Sequence, residues 1–180
     1  MGFNKKILYI IKGCFILLSL VGIVACQSSF FSYRGATVEP DDRIYLLEEG
    51  PGHGLWQTFD LVIEYRYEIK ADMLELSGVM ELSHHYISLY EILSRLYLTV
   101  YFLDNEGKVL EGKQVFISNS LKIDDKFSFK HFLEIPPDTV SFTFSYMGGV
   151  RGGGGGGRDP DGGGDGGSDS FHKYPRRSFF

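Results

Sequence analysis

Cysteine is scarce in this 180-residue chain, and its two cysteines, Cys14 and Cys26, both lie near the N-terminus. The residues after Cys26 therefore contain no thiol for a disulfide, a thiolate metal site or a cysteine nucleophile. The common catalytic motifs are also missing, among them G-x-S-x-G, H-E-x-x-H and the Walker phosphate loop. The sequence predicts neither an enzyme nor a bound cofactor.

An excess of positive charge is lacking too. The formal net charge is -5 at pH 7, which disfavours non-specific binding to nucleic acid, because that binding depends on neutralising phosphates. Aromatic residues are plentiful at 15% of the chain, mostly Phe and Tyr. Such residues suit strands that must pack into a core without disulfides.

The N-terminus combines basic and apolar residues in a characteristic order. Lys5, Lys6 and Lys12 precede an apolar stretch at residues 14–25. This arrangement is typical of a secretory signal peptide, which we predict over residues 1–25. A signal anchor is the alternative, since the apolar run extended back to Ile7 reaches about 19 residues, close to the roughly 20 that span a bilayer.

The last residues of this segment, Ile23-Val24-Ala25-Cys26, resemble the lipobox of bacterial lipoproteins. The resemblance implies that the Cys26 thiol receives a diacylglycerol, that cleavage occurs just before it, and that its new amino group is acylated, commonly with palmitate. Several acyl chains anchor a protein far more firmly than one. The resemblance thus implies a lipid anchor in the bacterial cell envelope, and Gln27 favours the outer membrane in a diderm cell.

Residues 26–54 contain Ser, Gly, Pro and charged residues without a sustained period, so we predict a tether and a loop that leads into the domain. A single folded domain is predicted over residues 55–147. Strict alternation from Thr58 to Ile69 indicates a strand with Phe59, Ile63 and Tyr67 towards the core. A second alternating run, from residues 74 to 82, predicts its hairpin partner.

Further strands are predicted at residues 96–103, 108–117, around 127–131 and around 142–146. Gly107, in the turn Asp-Asn-Glu-Gly-Lys, is expected to adopt the left-handed conformation of a three-residue hairpin. About six strands without a βαβ crossover predict an all-β fold, a single antiparallel β-sandwich.

The stretch LTVYFLDNEGKVL (98–110) resembles the Ig-like sandwich domains of bacterial surface lipoproteins, including the FxLYD group. The resemblance covers roughly residues 73–147 and rests on an apolar strand that ends in an Asp-x-x-Gly-Lys hairpin. It departs from FxLYD at Tyr101-Phe102-Leu103-Asp104, which does not reproduce the full motif. The resemblance implies an Ig-like fold, and it assigns no function, because such sandwiches serve many roles.

Residues 86–97 also carry apolar side chains at helical spacing, so we expect an irregular or partly helical connection there. His84 and His85 just before it are predicted at a strand end. Adjacent residues on a strand point to opposite faces, so these two histidines are not expected to ligate one metal ion.

Glycine dominates the region after Met147, and we predict a flexible tail over residues 148–180. Four aspartates in this tail are weak candidates for calcium ligands: Asp159, Asp161, Asp165 and Asp169. Their spacing misses the EF-hand pattern and lacks its final glutamate, so no metal site is predicted.

Aromatic and basic residues return at the end of the tail, in SFHKYPRRSFF. The candidates for partner binding are Phe171, Tyr174, Arg176 and Arg177. One interpretation is that this end folds back onto the domain with Phe171 and Tyr174 as anchors. The other is that it docks on a partner or on anionic envelope material.

These features together predict a noncatalytic binding or assembly module, attached to the membrane through lipidated Cys26, whose partner is an unidentified envelope protein or polymer. The alternative is an accessory subunit of an envelope enzyme or transporter that docks through its C-terminal tail. A hydrolase is a third hypothesis, for which the sequence offers no residues.

Overall fold

A computed structural model describes residues 33–46, 50–152 and 168–175. Within them the chain forms nine strands, one short α-helix and a 3₁₀ turn at Pro40–Asp42. The strands are β1 (Ile44–Tyr45), β2 (Gly52–Gln57), β3 (Leu61–Lys70), β4 (Met73–Leu82), β5 (Ile92–Leu103), β6 (Val109–Lys122), β7 (Phe127–Glu134), β8 (Ser141–Arg151) and β9 (Ser168–Lys173). The helix α1 (His84–Leu89) lies between β4 and β5.

These strands form two antiparallel sheets. The larger sheet has the order β1-β8-β5-β6, with β9 also paired to β8, and the smaller sheet has the order β2-β3-β4-β7. Both sheets contribute to one hydrophobic core, which includes Leu61, Ile63, Leu96 and Phe144. The predicted all-β, sandwich-like fold is therefore confirmed, and it contains more strands than the six expected.

The hairpin of β3 and β4 follows directly from the sequence. Alternating apolar residues place one face of each strand in the core, and pairing runs in register from Leu61–Leu82 to Lys70–Met73. The turn between the strands is short, and Ala71 takes a left-handed φ of 54° there. Gly107 also has a positive φ, 82°, in the turn between β5 and β6, as its sequence predicts.

The prediction that Phe59 faces the core is wrong. Its side chain is 74% exposed, whereas Ile63 and Tyr67 are buried as expected. The strand begins at Leu61, and Thr58 holds the preceding turn through a hydrogen bond between its backbone N–H and the Leu61 carbonyl. Phe59 therefore lies in the turn between β2 and β3, outside the alternation that the strand residues follow.

The segment with mixed periodicity divides between two elements. The first residues of this segment, up to Leu89, belong to the helix α1, and β5 begins at Ile92. His84 and His85 lie in α1 and not at a strand end, and both are exposed. Tyr86 is buried and fixes α1 against the core.

The described fold extends beyond the predicted domain boundaries of 55 and 147. β2 starts at Gly52, the boundary at 147 falls inside β8, and residues 168–173 form β9. Ala36 and Val38, which belong to the predicted tether, pack against Tyr101 in a second, smaller hydrophobic cluster. Long-range pairing recruits these flanking segments, and local periodicity does not reveal such pairing.

Candidate functional site

The edge of the larger sheet formed by β8 has an unusual construction, since two short segments distant in sequence complete it. β1 pairs with Ser141 and Phe142 at one end, and β9 pairs antiparallel with residues 146–151 at the other. Between them, residues 143–145 have no strand partner on this edge among the described residues. The side chains around β9 define the candidate functional site, called here the β9 groove.

An aromatic pocket forms the centre of the β9 groove. Phe171 lies opposite Gly148 and is 3% exposed. A Cβ atom on Gly148 would lie 2.1 Å from a carbon of the Phe171 ring, so only glycine leaves space for it. The ring centroid is 4.9 Å from that of Tyr86 and 5.9 Å from that of Tyr146. Phe171 is therefore a core residue supplied by the C-terminal strand.

A polar network lies beneath this aromatic pocket. The hydroxyl groups of Tyr86 and Tyr146 donate hydrogen bonds to the two carboxylate oxygens of Asp60, at 3.1 Å and 2.7 Å. The Tyr146 hydroxyl also lies 2.8 Å from Thr58 Oγ1. The network joins the β2–β3 turn of the smaller sheet to α1 and to β8 of the larger sheet. Its two tyrosine rings are those that contact Phe171.

Burial and the nearby carboxylate affect the acidity of both tyrosines. Burial, followed by the charge of Asp60, raises the pKa of Tyr86 to about 12. The pKa of Tyr146 is also raised, chiefly by burial. Both hydroxyl groups therefore remain protonated donors at neutral pH, and the network is a structural support for the pocket.

Lys173 occupies a second position on the inward side of β9. Its Nζ lies 2.6 Å from Asp42 Oδ1 and 5.3 Å from the centroid of the Trp56 ring. The carbonyl of Lys173 accepts a hydrogen bond from Ser145 Oγ at 2.6 Å. Trp56 is buried, and its Nε1 has no hydrogen-bond partner among the described residues. The ammonium group of Lys173 thus contacts both the Asp42 carboxylate and the face of the Trp56 ring.

The outward side of the same strand meets the N-terminal segment of the domain. The Tyr174 ring stacks on that of Tyr33, with centroids 5.3 Å apart, and His172 stacks on Tyr174 at 5.0 Å. Tyr33 also contacts Tyr101 edge to face. Burial raises the pKa of Tyr174. These rings hold the end of β9 beside the N-terminal segment around Tyr33.

Two shallow surface depressions flank β9. The first, of about 450 Å³, is polar and includes Thr37, Asp42, Thr143, Lys173 and Tyr174 in its lining. The second is lined by residues that include Arg95, Asn119, Arg151, Ser168 and Asp169. No group of three His, Cys, Asp or Glu residues within the described ranges could hold a metal ion.

The residues singled out from the sequence fall into two groups. Those outside the described residues are Cys26, Asp159, Asp161, Asp165, Arg176 and Arg177. Asp169, Phe171 and Tyr174 lie in or beside β9, where Asp169 is exposed. Phe171 and Tyr174 make the contacts expected of anchors that fold back onto the domain.

Sequence reasoning missed Gly148 and Asp60. Gly148 lies in the glycine-rich run after Met147 and is indistinguishable there from the residues that follow it. Asp60 resembles any solvent-facing residue of an alternating strand. The only local signal for β9 is the brief alternation of Asp169, Phe171 and Lys173 with serine and histidine.

Comparison with known protein families, with curated proteins and with solved structures found no match. Within the described residues, no helix has the length and apolar character needed to cross a membrane.

Proposed function

We propose that the protein is a bacterial cell-envelope lipoprotein, anchored through Cys26, whose domain acts as a noncatalytic binding or assembly module. The observation that carries the proposal is the order of residues 1–26, in which a basic segment, an apolar run and Ile-Val-Ala-Cys follow one another. The absence of cysteine after residue 26 agrees with a thiol reserved for acylation. We propose that in a diderm cell the protein lies in the outer membrane, because Gln27 and not aspartate follows Cys26.

The finer assignment of the fold is an Ig-like sandwich. Two antiparallel sheets around one core support it. The hairpin that suggested the resemblance is built around Asp104, whose side-chain oxygen accepts hydrogen bonds from the backbone N–H groups of Glu106 and Lys108. Gly107 completes this turn with its positive φ.

The outer face of the smaller sheet supports a role in binding. Leu55, Val79 and Phe132 are exposed there, at 62%, 41% and 61%. They lie among charged residues, of which Glu75 is contacted by Lys70 at 2.9 Å and by Lys130 at 2.7 Å. Several exposed apolar side chains on one sheet face suit contact with another protein.

Acylation is tested by metabolic labelling with an alkyne analogue of palmitate in a bacterial host. Wild-type protein should carry the label and fractionate with membranes, and Cys26→Ala should leave an unlabelled, unprocessed precursor. Cys14→Ala is the matched control, because its thiol lies in the segment that would be removed, and it should label normally. Equal labelling of wild type and Cys26→Ala would contradict the proposed anchor.

The binding role is tested by photocrosslinking in cells. A photoreactive amino acid in place of Phe132 should yield a discrete adduct with an envelope component. The same amino acid in place of Lys122, an exposed residue of the other sheet, is the control. Adducts of equal intensity at both positions, or at neither, would count against a binding surface on the smaller sheet.

A further inference from the structure

The link between β8 and β9 is much longer than their pairing requires. Arg151 and Ser168 are direct cross-strand partners, yet residues 152–167 separate them in the sequence. Antiparallel neighbours are usually joined by about two to five residues. The intervening sequence is mostly glycine and aspartate and has no large apolar side chain to offer a core. The β9 strand therefore resembles a tethered ligand more than the second arm of a hairpin.

The contacts of β9 also resemble those of a bound peptide. Its only strand partner within the described residues is β8. Side chains alternate along the strand, so that Phe171 enters the pocket over Gly148 and Lys173 reaches Asp42, while Ser170 and His172 are exposed. Backbone pairing at a sheet edge with pockets for alternate side chains is the mode of recognition known as strand addition.

We propose that the β9 groove is an acceptor site for an extended peptide segment of a partner protein, which replaces β9. The groove selects an aromatic residue followed two positions later by a cation. The pocket over Gly148 takes the ring, and Asp42 with the face of Trp56 takes the cation. The chain's own β9 is the resident competitor. This proposal goes beyond the function proposed above and does not depend on acylation of Cys26.

The tether determines how strongly β9 competes. Glycine-rich sequences of this composition generally supply the segments that they join with an effective concentration on the order of millimolar. A free peptide with the same contacts therefore binds the wild-type chain only weakly. A substitution that weakens the contacts of β9 lowers the peptide concentration needed to replace it and exposes the groove.

The first test measures hydrogen exchange on the wild-type full chain in detergent micelles. Amides of β9 should exchange through a local opening that is insensitive to low denaturant concentrations, whereas those of β5 should exchange only with global unfolding. Exchange of β9 amides solely through global unfolding would overturn the proposal, because the groove would then never open in the folded protein.

The second test uses a fluorescent synthetic peptide of the sequence SDSFHKYP, which copies residues 168–175. It should bind the full-length Phe171→Ala chain about tenfold more tightly than the wild-type chain, since the resident competitor is weakened. A control peptide with alanine in place of phenylalanine should bind neither chain, and one with glutamate in place of lysine should bind more weakly than the parent peptide.

Equal binding of the parent and alanine peptides would overturn the proposal, as would no binding to a Phe171→Ala chain that keeps its native near-ultraviolet circular dichroism. If that variant fails to fold, hydrogen exchange on the wild-type chain decides. Labelling of Cys26 is measured separately, so failure of the anchor and failure of the groove are distinguishable.

Discussion

Removal of the Asp60 carboxylate tests whether the polar network holds the two sheets together. Hydrogen bonds to charged groups each contribute about 1.5–3 kcal/mol, and Asp60 accepts two, from Tyr86 and Tyr146. Asp60 is half-buried, so water partly replaces the lost acceptor. Tyr146 also keeps Thr58 as a partner. We therefore expect Asp60→Ala to lower the free energy of unfolding by about 2–4 kcal/mol.

Urea denaturation followed by circular dichroism measures this loss. Asp60→Asn keeps one acceptor oxygen and should cost about half as much. Asp124→Ala, at an exposed position between β6 and β7, is the control and should change stability by less than about 0.5 kcal/mol. In a double-mutant cycle, Asp60→Ala and Tyr86→Phe should couple by more than about 1 kcal/mol. Additive effects, or a loss at Asp60 no larger than that at Asp124, would refute the reasoning.

Three further predictions concern packing and ionisation. Gly148→Ala should expel the Phe171 ring and lower the melting temperature by several degrees. In a Phe171→Ala background the same substitution should lower the melting temperature little further, and additive losses would contradict the packing. Ile63→Asp should destabilise severely by burying a charge, whereas Glu64→Lys should change stability by less than about 0.5 kcal/mol; denaturant melts in the reverse order would contradict the assigned face. The pKa of Tyr86 is raised, so its contribution to stability is complete below about pH 10 and lost as pH rises towards about 12; a difference spectrum between wild type and Tyr86→Phe that shows tyrosinate absorbance already near pH 10 would contradict it.

The strands with clean alternation could be predicted because their signal is local. A period of two from Leu61 to Leu82 determines two strands, the face each one buries and the short turn between them. The positive φ of Gly107 could also be predicted locally, since its hairpin turn needs a residue in the left-handed conformation. The prediction failed at Phe59, where the alternation is already present in the sequence but the strand begins only at Leu61.

The N-terminal order of basic, apolar and lipobox-like residues is likewise visible in the sequence, because an export signal is defined by the order of its residue types. Composition alone also shows that the folded region relies on packing without disulfides. The proposed location and the proposed absence of catalysis both rest on this level of information.

Only the tertiary structure decided the role of the C-terminal strand. A glycine at position 148 and a phenylalanine at 171 are unremarkable by themselves, and their meaning arises when antiparallel pairing places one opposite the other. In the same way, Asp60 becomes the acceptor for two tyrosines because α1 and β8 bring their hydroxyl groups to it. Hydrophobic periodicity specifies which face of a segment is buried, but the partner across the sheet is chosen by complementary volume and hydrogen bonding among residues far apart in the sequence.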